Sequence, residues 1–158
     1  ANNALAILTA DCVPVLLAAP SSGLIGAVHA GWRGAVGGVL DATIEMMIQQ
    51  GAAPLDIIAV IGPAIKQDNY QVGSDLKNIV VSQYPDADVF FKSDTQKKYL
   101  FDLAGFTNWR LRSSGLIQIH DISIDTYSES SNLFSHRRAT HSALADSGRQ
   151  ISIIGLLE

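Results

Sequence analysis

The chain has a single cysteine, Cys12, among 158 residues. One thiol excludes an internal disulfide framework and agrees with a reducing, cytoplasmic setting. Charge is scarce too: Asp, Glu, Lys and Arg make up 16% of the sequence and the formal net charge is −4. No basic field of the kind that draws nucleic acid or an acidic membrane surface is present, so neither is expected as a partner. The cations are scattered apart from the pairs Lys97-Lys98 and Arg137-Arg138, which read as solvated faces. No apolar run approaches the ~18 residues of a membrane span, and no charged segment followed by an apolar one opens the chain. Internal repeats and low-complexity segments are lacking as well.

What the chain does have is apolar residues, 47% of the total, enough for one domain with a real core. Residues 5–8 read as a short buried strand, followed by the turn Thr9-Ala10-Asp11. Residues 13–19 and 24–29 are apolar runs joined by Pro20-Ser21-Ser22-Gly23, which predicts an antiparallel hairpin. From about 33 to 50 the period becomes helical, with Val36, Val39, Leu40, Ile44, Met47 and Ile48 on one stripe and Gly51 as its stop. Met46 and Met47 are expected in the core. Residues 56–61 form a strand ended by Gly62-Pro63, and 74–84 a helix capped by Ser74 with Leu76, Ile79 and Val80 inward.

Further on, residues 89–91 and 99–101 are short strands around a polar turn. Asp102 caps a helix that runs to 113 or 114, with Gly115 as its stop. Residues 117–124 and 151–157 are strands, and 128–132 and 139–149 are loops. A hairpin mixed with helices predicts an α+β fold, a layered sandwich of mixed β-sheets flanked by helices.

Cys12 and His29 stand at the start of one predicted hairpin strand and the end of the other, beside turn residues. A thiol and an imidazole brought together there suit two chemistries. One is an activated nucleophile with its base. The other is a pair of zinc ligands, of which a catalytic zinc takes three plus a water. Two unrelated side chains, a core cysteine and a hydrogen-bonded histidine, are the plain alternative. His29-Ala30-Gly31-Trp32-Arg33-Gly34 leads into a helix. Backbone N–H groups at a helix start and the Arg33 fork suit an anion such as phosphate or a carboxylate.

The segments Thr9-Ala10-Asp11-Cys12-Val13-Pro14-Val15 and Ala27-Val28-His29-Ala30-Gly31-Trp32-Arg33-Gly34 resemble the YfiH-like family. It is also called the laccase-domain or multicopper polyphenol oxidoreductase family. The resemblance continues through Ile61-Gly62-Pro63-Ala64-Ile65, Tyr70-Gln71-Val72-Gly73, Phe101-Asp102-Leu103, Asp125-Thr126-Tyr127, Phe134-Ser135-His136-Arg137-Arg138 and Gly148-Arg149. It therefore spans residues 1–158 as one domain. It implies a purine nucleoside phosphorylase with adenosine deaminase activity, whose partners are a purine nucleoside and phosphate.

The resemblance also implies a zinc held by two histidines and a cysteine, with Cys12 and His29 as two of the ligands. The remaining histidine lies upstream in such proteins, so an N-terminal segment is expected before Ala1. His120, His136 and His141 are not expected to replace it. Asp11 is expected to orient a histidine or a water, or to cap the turn. Arg33 is the first candidate for phosphate, Arg137 and Arg138 come next, and Tyr70 is a candidate substrate contact. Two positions depart from the family pattern: His136 stands where an aromatic ring is usual, and Asp125 where a cysteine is common.

Two other functions remain open at this level. Without metal, Cys12 and His29 would serve a cysteine hydrolase or deamidase; without the upstream histidine, the chain would be an inactive binding module. Copper-dependent phenol oxidation needs several copper sites, which one cysteine and one matched histidine do not build. Oligomeric state is not separable from core by pattern.

Overall fold

The computed structural model describes residues 3–95 and 97–156. The expected hairpin is present: β2 (Val13–Ala19) and β3 (Leu24–Ala30) pair antiparallel, with Val13 opposite Ala30 and Pro14 opposite His29. Strand β4 (Ile58–Ile61) adds antiparallel to β2, and β8 (Gln118–Asp121) adds parallel to β4, which makes a mixed four-stranded sheet. A second sheet is β5 (Gln71–Gly73), β7 (Lys98–Phe101) and β6 (Phe91–Ser93), all antiparallel. A separate ribbon pairs β1 (Ala4–Thr9) with β9 (Gln150–Gly155). Helices α2 (Val39–Gln49) and α4 (Leu103–Ser113) cover the four-stranded sheet, so the α+β reading of layered mixed sheets flanked by helices holds.

Several local expectations change. The single helix over 33–50 is two helices, α1 (Trp32–Val36) and α2, broken at Gly37-Gly38. Gly38 takes φ +86°, which a side chain would resist, so periodicity runs across a break it does not register. On α2, Met47 is buried but Met46 and Ile48 are exposed. Helix α3 (Ser74–Gln83) has Gly73 at its N-cap and Ser74 inside its first turn, and Ile79 faces solvent. Asp102 does cap α4, its side chain accepting the Gly105 N–H at 2.8 Å. Part of the loop expected over 139–149 is helical, in α5 (His136–His141). The strand expected over 117–124 shrinks to β8, with Ile117, Ile122 and Ile124 exposed. Leu157, expected to end the last strand, lies outside the described residues.

An aromatic cluster fills the space between α3, α4 and the three-stranded sheet. Phe91 and Phe101 stack at 4.4 Å, and Phe106 lies against Phe90, Phe101, Tyr84 and Trp109. Arg110 on α4 donates to Asp41 on α2 at 2.7 Å and lies over the Tyr84 ring, which locks the two helices together. This core sets the second sheet and its Tyr70 approach against the open end of the β2–β3 hairpin, where the candidate site forms.

Candidate functional site

A cavity of about 320 Å³ opens at the end of the hairpin, lined by Ala10, Asp11, Cys12, Trp32, Arg33, Ile65, Tyr70, Leu103, His136 and Arg137. That volume lies at the lower end of the roughly 300–1,000 Å³ of small-molecule sites. The turn between β1 and β2 brings in Asp11 and Cys12, the start of α1 brings Trp32 and Arg33, and the start of α5 brings His136 and Arg137. Tyr70 arrives just before β5. Five residues singled out in the sequence, Asp11, Cys12, Arg33, Tyr70 and Arg137, therefore share one cavity.

Cys12 is half-buried. Its sulfur packs where a side chain at Gly31 would begin, since a Cβ added there would come within 3.0 Å of Sγ. Burial pushes the Cys12 thiol up, the Asp11 carboxylate adds to this, and Arg149 opposes it. Tyr70 is stacked on Phe101, with the Arg137 guanidinium 5.4 Å from its ring centroid. Its phenol is pushed up to about 12, first by burial and then by Cys12, with Arg137 pulling the other way. Tyr70 is thus a neutral hydrogen-bond donor at any physiological pH. Arg33 lies over the Trp32 ring at 4.4 Å.

Both carboxylate oxygens of Asp11 take protein donors. Its Oδ1 accepts the Thr126 hydroxyl at 2.7 Å and its Oδ2 accepts the Arg137 backbone N–H at 2.6 Å. Arg138 is not brought to the cavity. Its guanidinium donates to the carbonyls of Thr126 (2.8 Å), Tyr127 (2.9 Å), Ser128 and Leu133, which makes it a staple for the 126–133 segment. His29 lies on the exposed side of β3 opposite Pro14 and is not among the residues lining the cavity. Asp125, at the position where a cysteine is common, accepts from Asn69 Nδ2 at 2.6 Å and from the backbone of Lys66 and Tyr127.

Zinc finds an incomplete donor set here. Cys12 and His29 are two donors of the right type, and the described residues contain no group of three or more His, Cys, Asp or Glu placed to hold a metal. By itself this set does not close a three-ligand site. His136 is the functional candidate that sequence reasoning passed over. It lines the cavity beside Arg137, and the signal was there: Ser135 caps α5 through the Arg138 N–H at 3.0 Å, so the two residues after it start a helix at the cavity. His120 is exposed on β8, and His141 Nδ1 lies 2.9 Å from the Tyr127 hydroxyl. No helix of the described residues is long and apolar enough to cross a membrane.

Several known proteins are similar to this chain. A purine nucleoside phosphorylase of Rickettsia prowazekii is 38% identical over 141 residues, covering 89% of this chain and 58% of that protein. A purine nucleoside phosphorylase of Haemophilus influenzae is 37% identical over 155 residues, covering 97% of this chain and 60% of that protein. Among solved structures, the YfiH protein of Bacillus licheniformis superposes with a TM-score of 0.89 at 35% identity, over 98% of this chain and 58% of the other. A Neisseria meningitidis protein superposes with a TM-score of 0.85 at 34% identity, over 98% and 60%. The chain thus spans about three fifths of the length of the relatives it matches. The family model described as multi-copper polyphenol oxidoreductase laccase matches residues 1–157, and the chain belongs to that family, the YfiH-like proteins.

Proposed function

We propose that the protein is a purine nucleoside phosphorylase whose nucleoside and phosphate meet in the cavity between the β1–β2 turn, α1 and α5. The observation that carries the reading is the pair of arginines, Arg33 and Arg137, brought to one small-molecule cavity from two different helices. In phosphorolysis a phosphate oxygen bonds to the anomeric carbon as the bond to the purine nitrogen breaks, and the base leaves with a proton. Such a reaction needs the anion held and oriented beside the sugar. Arg33 and Arg137 supply the positive groups, Tyr70 offers a neutral donor, and Trp32, Ile65 and Leu103 supply apolar wall for a base. The names of the relatives point the same way.

Adenosine deamination belongs to the same proposal as a second activity, and zinc as its metal, with Cys12 and His29 as two of the ligands. A metal-free cysteine hydrolase is less well supported, because burial favours the protonated Cys12 thiol and the names of the relatives point to phosphorylases.

The test incubates the purified protein with adenosine, inosine and guanosine, with and without inorganic phosphate. Phosphate-dependent release of free base and ribose 1-phosphate is expected, and its loss in Arg137→Ala. Base release that ignores phosphate would overturn the reading. Elemental analysis of the same preparation addresses the metal: bound zinc that is lost in Cys12→Ala is expected, and metal-free protein with undiminished turnover would remove zinc from the proposal.

A further inference from the structure

Asp11 has φ +82°, a conformation that non-glycine residues adopt at some cost. It is also 8% exposed, so its carboxylate is nearly out of water. A buried carboxylate in a strained turn persists only where its surroundings hold it, and three separate segments of the chain do so. Its backbone oxygen accepts the Ile65 N–H at 3.1 Å. Its carboxylate accepts the Thr126 hydroxyl at 2.7 Å and the Arg137 N–H at 2.6 Å.

The last bond matters most. In α5 the first-turn N–H groups have no partner within the helix. Ser135 Oγ takes that of Arg138, and Asp11 takes that of Arg137, from 126 residues away in the chain. The Arg137 side chain is then fixed at its far end as well, where Nη1 donates to the Gln71 carbonyl at 2.9 Å.

We infer that Asp11 is a positioning residue for phosphate: by accepting the Arg137 backbone N–H it sets the first turn of α5 and holds the Arg137 guanidinium at the cavity. This rests on the assignment of Arg137 to phosphate made above. Both carboxylate oxygens of Asp11 are already engaged by protein donors.

The test uses Asp11→Gly and Asp11→Asn. Glycine takes φ +82° without strain, so Asp11→Gly removes the carboxylate while easing the turn. Asparagine keeps one carbonyl acceptor where aspartate has two. Titration calorimetry with inorganic phosphate reads binding without turnover. Phosphate affinity is expected to fall roughly tenfold in Asp11→Gly and less in Asp11→Asn, as for loss of a hydrogen bond to a charged group. In an Arg137→Ala background the same change should cost under about twofold, because the two residues act through one contact. Residue-resolved amide exchange should speed up at Arg137 in Asp11→Gly, while Ala139, whose N–H donates to the Ser135 carbonyl, stays protected.

Unchanged phosphate affinity in Asp11→Gly, unchanged exchange at Arg137, or an equal loss in the Arg137→Ala background would overturn the inference. So would wild-type protein that binds no phosphate. Protein that binds phosphate but turns over no nucleoside would defeat the phosphorylase reading alone, and the positioning role would then be decided by the affinities.

Discussion

The β2–β3 hairpin and the β1–β9 ribbon are both antiparallel pairs rich in aliphatic residues, and they lead opposite lives. Val13, Val15, Leu17 and Ala19 are fully buried between neighbouring strands and helices. On the ribbon, Leu5, Leu8, Ile151 and Ile153 are exposed, the last at 56%. Apolar composition makes a strand, but burial depends on what packs over it. The hairpin has α2 over one face and β4 along its edge. The cavity sits where the two pairs join, at the Asp11–Cys12 turn.

Substitutions sharpen that contrast. Leu17→Ala, at the middle of the hairpin, should cost the most, about 2–5 kcal/mol in denaturant unfolding, because the cavity it leaves is closed on all sides. A cost below 1 kcal/mol would break the contrast. Arg138→Ala should cost about 1–3 kcal/mol, since it leaves several carbonyls of the 126–133 segment without their donor. In the same assay Arg137→Ala should change stability less than Arg138→Ala while removing more activity, and the reverse ranking would undo the distinction between the two arginines.

Smaller effects are expected at the rim of the hairpin. Gly31→Ala places a methyl 3.0 Å from Cys12 Sγ, so the sulfur must shift. About 1 kcal/mol of stability is expected, the low end for added bulk because a thiol can rotate. Its larger signature should be weaker substrate binding, measured as a raised KM. On the ribbon, Ile153→Thr should stay within about 0.5 kcal/mol of wild type, as for exposed positions generally. A larger loss would show that the ribbon face is covered in solution.

Much of this is legible in the sequence. The hairpin follows from two apolar runs around a Pro-Ser-Ser-Gly turn, the α4 cap from Asp102, and the candidate cavity from the motifs that hold Cys12 and Arg33. Misreadings came where a local pattern meets a tertiary fact. Helical periodicity ran through Gly37-Gly38 because a short break hardly disturbs the stripe. Leu5 and Leu8 read as buried because apolarity reports the tendency to be covered, not the presence of a cover. Arg137 and Arg138 read as equivalent because side-chain type is all that a sequence displays.

By itself, the amino-acid order determined the local elements, the α+β class and the residue types gathered near the site, since propensity, turn chemistry and periodicity act over a few neighbouring residues. Only the tertiary structure decided which of those residues face the cavity. The Asp11 carboxylate meets the Arg137 N–H, Arg138 turns to four carbonyls, and His136 joins the cavity lining while His29 does not. Such partnerships join positions far apart in the chain, and hydrogen bonds and packing choose them only after the sheets have set the walls in place.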